Sequence, residues 1–217
     1  MSLPAEVVEA AGAPVVSIVW LHGIGQGPGD LMPVARRLRL PEQGVRGVFP
    51  RAPGQVGPML GGAVASAWFW QRIHRLHESD LTSVLAAEDA LRDLIGKEAA
   101  QLGGADRVVL AGFSQGAAMA LVTALRYPAR LRGLVLYAPY LVHTDWLAGS
   151  RSPAGAGLPV WIGHGARDWI VPEARGRRVR DVLTRWGHEV TWQRYSGGHE
   201  PFAGVRESLP RFLARLR

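Results

Sequence analysis

Apolar and β-branched residues gather in short runs along this chain, separated by stretches of helical spacing. The runs at residues 14–21, 45–49, 107–110, 134–137, 159–162 and 190–195 have the length of strands. Most lack polar alternation, which predicts burial on both faces of a sheet. Residues 80–101 place Leu81, Val84, Leu85, Leu91, Leu94 and Ile95 on one helical face behind Asp80 as N-terminal cap. Helices are also predicted over residues 30–38 with Asp30 as cap, over 117–125 up to Pro128, from Val171 or Pro172 to Trp186-Gly187, and at the C-terminus. Two stretches show no periodicity: the Gly/Pro-rich residues 50–70, ending Ala67-Trp68-Phe69-Trp70, and residues 141–157 around Trp146. Loops this long inside a domain are usually functional. Strands alternating with helices predict an α/β fold, a mostly parallel central sheet with helices on both faces. Ligands of such sheets bind beyond the carboxyl ends of the strands, where the loops at 22–29, 163–170 and 196–202 leave. No repeat, linker or charge block interrupts the 217 residues, so a single domain over 1–217 is expected.

Composition narrows the classes. The chain has no Cys, which excludes disulfides, thiolate metal sites and cysteine catalysis. The net charge is +7 and Lys97 is the only lysine. The arginines are spread from Arg36 onward, and the densest group, at 175–180, falls on a predicted helix. No basic stripe with interleaved aromatics is present, so nucleic acid is not an expected partner. Glu6 and Glu9 precede the first basic residue, Arg36, the reverse of a secretion signal. The apolar run at 15–21 is too short to span a membrane. A soluble cytoplasmic protein is expected.

The chemistry centres on Gly112-Phe113-Ser114-Gln115-Gly116, where a predicted strand turns abruptly into a predicted helix. A serine on such a turn projects its hydroxyl beyond the sheet, and the flanking glycines relieve the crowding. The Gln115 N–H then lies at a helix N-terminus, able to stabilise an anion. A serine nucleophile needs a base, and the base needs an acid to orient it, in the chain order Ser, acid, His on this kind of scaffold. Of the downstream histidines, His188 follows a helix end, His164 precedes the best acid and His143 lies in a loop. His199 follows the last strand on a Gly-Gly-His-Glu loop. Asp168 follows a strand within a Gly-rich loop, and Asp145 is the next candidate. The expected set is therefore Ser114, Asp168 and His199. The loop Leu21-His22-Gly23-Ile24-Gly25 supplies a second oxyanion donor, assigned to the Ile24 N–H. A dinucleotide fingerprint is rejected, because Pro28 stands where its third glycine belongs. His74 and His77 lack HExxH context and read as a solvated segment rather than a metal pair.

These motifs, with Pro50-Arg51-Ala52-Pro53, Ala67-Trp68-Phe69 and His164-Gly165-Ala166-Arg167-Asp168, resemble the phospholipase/carboxylesterase family, which includes the acyl-protein thioesterases. The likeness runs from about residue 15 to the C-terminus. It implies an α/β-hydrolase with little or no cap domain, no cofactor, and hydrolysis of carboxylic ester or thioester bonds of a small-molecule substrate. It carries the nucleophile to Ser114, the acid to Asp168, the base to His199 and the oxyanion donors to Ile24 and Gln115. Gln26 and Trp70 replace acids of the eukaryotic thioesterases, which favours a bacterial-type small-molecule esterase. An apolar acyl groove is expected from the two long loops, with Leu60, Trp68, Phe69 and Trp146 as its substrate-binding residues. A homodimer is left open. A non-catalytic binding protein on this fold would have lost a triad residue, and none is missing. Peptide or C–C bond cleavage stays open, because the same site serves any acyl transfer.

Overall fold

The computed structural model describes residues 3–56, 64–72, 75–201 and 208–216. In chain order the strands are β1 Ala5–Val8, β2 Val16–Leu21, β3 Val45–Pro50, β4 Gly54–Val56, β5 Ala65–Ala67, β6 Gln71–Arg72, β7 Arg75–Ser79, β8 Val108–Phe113, β9 Gly133–Tyr137, β10 Val160–Gly165 and β11 Val190–Tyr195. The helices are α1 Met32–Arg37, α2 Leu81–Leu102, α3 Gln115–Arg126, α4 Thr144–Ser150, α5 Glu173–Arg185 and α6 Ser208–Arg215.

Seven strands form the central sheet in the order β1-β3-β2-β8-β9-β10-β11. All neighbours are parallel except β1, which pairs antiparallel with β3 at the edge. This is an α/β-hydrolase sheet. Side chains alternate between its two faces. Val19, Leu21 and Leu110 meet α2, α3 and α5, whereas Ile18, Trp20 and Val109 meet α1 and α6. Asp80 caps α2 as expected, its carboxylate accepting the Ser83 N–H at 2.7 Å. Asp30 does not cap α1. It closes a single 3-10 turn, Pro28–Asp30, where it accepts the Gly27 N–H at 2.7 Å, and α1 begins afterwards at Met32.

The two aperiodic stretches are partly structured. Residues 50–79 carry two short antiparallel ribbons, β4 with β5 and β6 with β7. Residues 141–157 contain α4 and a 3-10 turn, Pro153–Gly155. Register brings the functional loops to one level. Leu21 pairs with Gly112, Phe113 with Tyr137, and Gly165 with Tyr195. The residues that follow β2, β8, β10 and β11 therefore emerge side by side at one edge of the sheet.

Candidate active site

Ser114 links β8 directly to α3 with φ 54° and ψ −118°. A non-glycine residue in that region stores about 1–3 kcal/mol of strain. The surroundings hold it there. The Ser114 N–H donates to the Tyr137 carbonyl at 2.9 Å. A Cβ on Gly112 would lie 2.4 Å from the Gly116 carbonyl oxygen, and one on Gly116 would lie 2.1 Å from that of Leu21. Both glycines are thus fixed by backbone passing within contact distance.

The Ser114 hydroxyl lies 3.0 Å from His199 Nε2, and His199 Nδ1 lies 2.7 Å from Asp168 Oδ2. The buried carboxylate requires that Nδ1 carry the proton, which leaves Nε2 as the acceptor for the hydroxyl. The other carboxylate oxygen of Asp168 accepts the N–H groups of Ile170 and Val171 at 3.0 and 2.8 Å. The loops bearing Asp168 and His199 are stitched together. The Ala166 and Arg167 N–H groups donate to the carbonyls of Tyr195 and Gly197, each at 2.8 Å. A Cβ on Gly165 would lie 2.2 Å from the Gly198 oxygen. The Phe113 ring packs on the His199 imidazole with centroids 4.6 Å apart.

The other histidines are engaged elsewhere. His143 bonds Ser79 Oγ at 3.0 Å, and His188 donates to the Leu158 carbonyl at 3.2 Å. His164 is fully buried beneath Asp168, with Nε2 donating to the Val171 carbonyl at 2.8 Å. Burial holds its imidazole below the ordinary value, so it is neutral, and it braces the turn that feeds N–H groups to Asp168. Asp145 sits in the first turn of α4, on a different element. Among the described residues no group of three His, Asp or Glu is placed to hold a metal. His74 lies outside the described residues.

Across from Ser114, the loop after β2 is held by side chains. Gln26 Oε1 accepts the Gly23 N–H at 2.8 Å, and the Gly25 N–H donates to the Ser66 carbonyl at 2.8 Å. The intervening Ile24 N–H makes no backbone hydrogen bond among the described residues. Fully buried His22 ties this loop to the next: Nδ1 donates to the Gly23 carbonyl at 2.8 Å, and Nε2 accepts the Ala52 N–H at 3.1 Å. Burial lowers its pKa, which keeps the acceptor nitrogen free of a proton. The Trp68 indole donates to the His22 carbonyl at 2.8 Å. The Gln115 side chain, itself buried, clamps the facing segment. It accepts from Trp68 N at 2.9 Å, and donates to the Phe69 carbonyl at 2.9 Å and to Gln71 Oε1 at 3.3 Å. The Tyr140 hydroxyl completes the network, donating to Gln71 Oε1 at 2.6 Å.

A sequence profile described as phospholipase/carboxylesterase matches residues 3–215. The chain belongs to that family. An acyl-protein thioesterase 1 from Gibberella zeae is 31% identical over 97% of this chain and 93% of its own length. A probable carboxylesterase of Oryza sativa subsp. japonica is 29% identical over 91% of this chain and 76% of its own length. Among solved structures, esterase PE8 superposes with a TM-score of 0.87 at 26% identity, covering 100% of both chains. Membership of this family makes the chain a carboxylesterase-type serine hydrolase.

For a member of this family the expected groove wall needs correction. Trp68 and Phe69 are 1% and 2% exposed and belong to the core, and only Trp70 of the three faces solvent. Residues 68–69 form a bend rather than a strand, so neighbouring side chains do not alternate. The Trp68 indole instead holds the loop after β2 through the His22 carbonyl. Trp146 stacks under the Arg126 guanidinium at 4.3 Å. Arg126 ends α3, about 18 Å of helix rise from Ser114. Leu60 lies outside the described residues. Trp169 and Ile170, not singled out by the sequence, are 82% and 44% exposed. This exposed apolar pair follows Asp168 directly in the chain. Its signal was available as Asp168-Trp169-Ile170, aromatic and aliphatic residues in a loop that needs neither for its turn.

Proposed function

We propose that this chain hydrolyses carboxylic esters, and thioesters, of small acyl substrates through an acyl-enzyme on Ser114. The observation that carries the reading is the continuous hydrogen-bonded chain Ser114–His199–Asp168 at a strained elbow. In this scheme Ser114 Oγ attacks the acyl carbonyl while His199 Nε2 takes its proton. Asp168 keeps the proton on Nδ1 and stabilises the imidazolium. The tetrahedral oxyanion accepts the N–H groups of Ile24 and Gln115, which need no reorganisation because the side chains of Gln26, His22 and Gln115 fix their loops. His199 then protonates the departing alcohol or thiol. Water, activated by the same imidazole, releases the acid and returns Ser114.

The apolar Trp169–Ile170 lip supports an acyl group rather than a polar one on that side. A buried methylene contributes roughly 0.8 kcal/mol, so kcat/KM should climb from acetate toward medium-chain esters. Turnover of nitrophenyl esters, the matching thioesters and anilides by the purified protein tests the assignment. Esters and thioesters should turn over well above anilides. Preference for anilides would replace it with peptide-type cleavage, and no turnover of any of the three would replace it with a binding role.

A further inference from the structure

A second cleft lies at the opposite end of α3 from Ser114. Its volume is about 220 Å³, and its walls include Leu125, Ala148, Gly155, Arg151, Trp186 and His188. Leu125 stands about 16 Å along the helix from Ser114 at 1.5 Å per residue, so this cleft is separate from the site above. Its composition is unlike a packing defect. The Arg151 guanidinium lies over the Trp186 ring at 4.4 Å, and its Nε–H donates to the Ala148 carbonyl at 3.3 Å. Its terminal amino groups make no hydrogen bond or ion pair among the described residues, and no acid lines the cleft. His188 is 6% exposed. Its Nδ1 donates to the Leu158 carbonyl, which leaves Nε2 as an acceptor with no hydrogen-bond partner among the described residues. The neighbouring charges do not fill the cleft. Arg126 is bound to Glu88, Arg130 caps the Ala156 carbonyl, and Glu189 pairs with Arg215.

We propose that this cleft is a second binding site, for a small monocarboxylate with a compact apolar or aromatic body. An arginine flattened on an indole presents its N–H edge in a plane, which suits the two oxygens of a carboxylate. Leu125, Ala148, Gly155 and the Trp186 ring offer an apolar wall for the body. At about 220 Å³ the cleft is smaller than the roughly 300–1,000 Å³ of drug-sized ligand pockets, which suits a benzoate-sized molecule and no large cofactor. The site does not rest on the proposed hydrolysis.

The test uses 4-fluorobenzoate as probe, followed by fluorine NMR on the full-length protein, with the Trp186 indole N–H resonance as the locator. Saturable binding that shifts this resonance is expected. Isosteric 4-fluorobenzamide should bind at least 10-fold more weakly. Arg151→Gln should weaken benzoate binding at least 10-fold while leaving acetate ester turnover unchanged, and Arg151→Lys should fall between. Absence of saturable binding in the wild-type protein would overturn the site. So would equal affinity for benzoate and benzamide, or binding that Arg151→Gln leaves untouched, which would move the acid to the Ser114 site.

Discussion

The Gln115 side chain offers a test of how the loops of the proposed oxyanion site are held, because its backbone and side chain act separately. Replacing it with leucine keeps the volume and the main-chain N–H at the helix start. It removes the acceptor of the Trp68 N–H and the donor to the Phe69 carbonyl, both part of buried contacts. An unsatisfied buried polar group costs about 1–3 kcal/mol, so two cost about 2–6 kcal/mol. For a chain of this size, 1 kcal/mol moves Tm by roughly 2–4 °C, which places the expected drop at about 4–24 °C. The released segment also carries the Trp68 indole that holds the His22 carbonyl. Loosening it displaces the loop bearing Ile24. Turnover should fall about 10-fold, less than the 10²–10³ loss typical of deleting an oxyanion donor, because the Gln115 N–H itself is retained. Gln115→Glu keeps an acceptor for Trp68 but cannot donate to Phe69, and should also be destabilised. Calorimetry and kcat on a short nitrophenyl ester at 25 °C read both quantities. A leucine variant with unchanged Tm and kcat would refute the clamp.

Asp168→Asn should fold normally, since an amide oxygen can still accept from Ile170 and Val171, yet lose on the order of 10⁴ in kcat through the wrong His199 tautomer; Asp145→Asn should be neutral in the same ester assay. Trp169→Ala should flatten the rise of kcat/KM from acetate to octanoate esters while sparing acetate, and Trp146→Ala should leave that profile unchanged. Burial holds His22, His164 and His188 below the ordinary histidine value. The unfolded chain therefore binds more protons below about pH 6.5, and stability should fall as pH drops through that value, by up to about 1.4 kcal/mol per pH unit for each group. Urea titrations at pH 7.5, 6.5 and 5.5 measure it, and a flat profile would show that these imidazoles are not held neutral.

Much of the sheet was legible because its inner strands are continuous apolar runs, and the proposed reacting groups sit where those runs stop. Ser114, Asp168 and His199 follow β8, β10 and β11, so chain order alone brought together three residues that lie within hydrogen-bond distance. Other parts left no such trace. Strand β1 is exposed at Ala5, Glu6 and Val7 and exists only by pairing with β3. Helix α4 buries Leu147 alone, too little to give a period. The placement of Trp68 left no local trace, because its hydrogen bonds to Gln115 and His22 reach across long stretches of sequence. The bracing roles of His22 and His164 depend in the same way on partners that spacing does not reveal.

The proposed ester hydrolysis rests on Ser114 as its nucleophile. Reaction of the purified protein with a fluorophosphonate, followed by peptide mass spectrometry, tests it most directly. One adduct per chain on Ser114 is expected, with hydrolysis lost in parallel, and Ser114→Ala should take no label and lose about 10³-fold or more in turnover. An adduct on another residue, or an alanine variant that still labels and hydrolyses, would contradict the account.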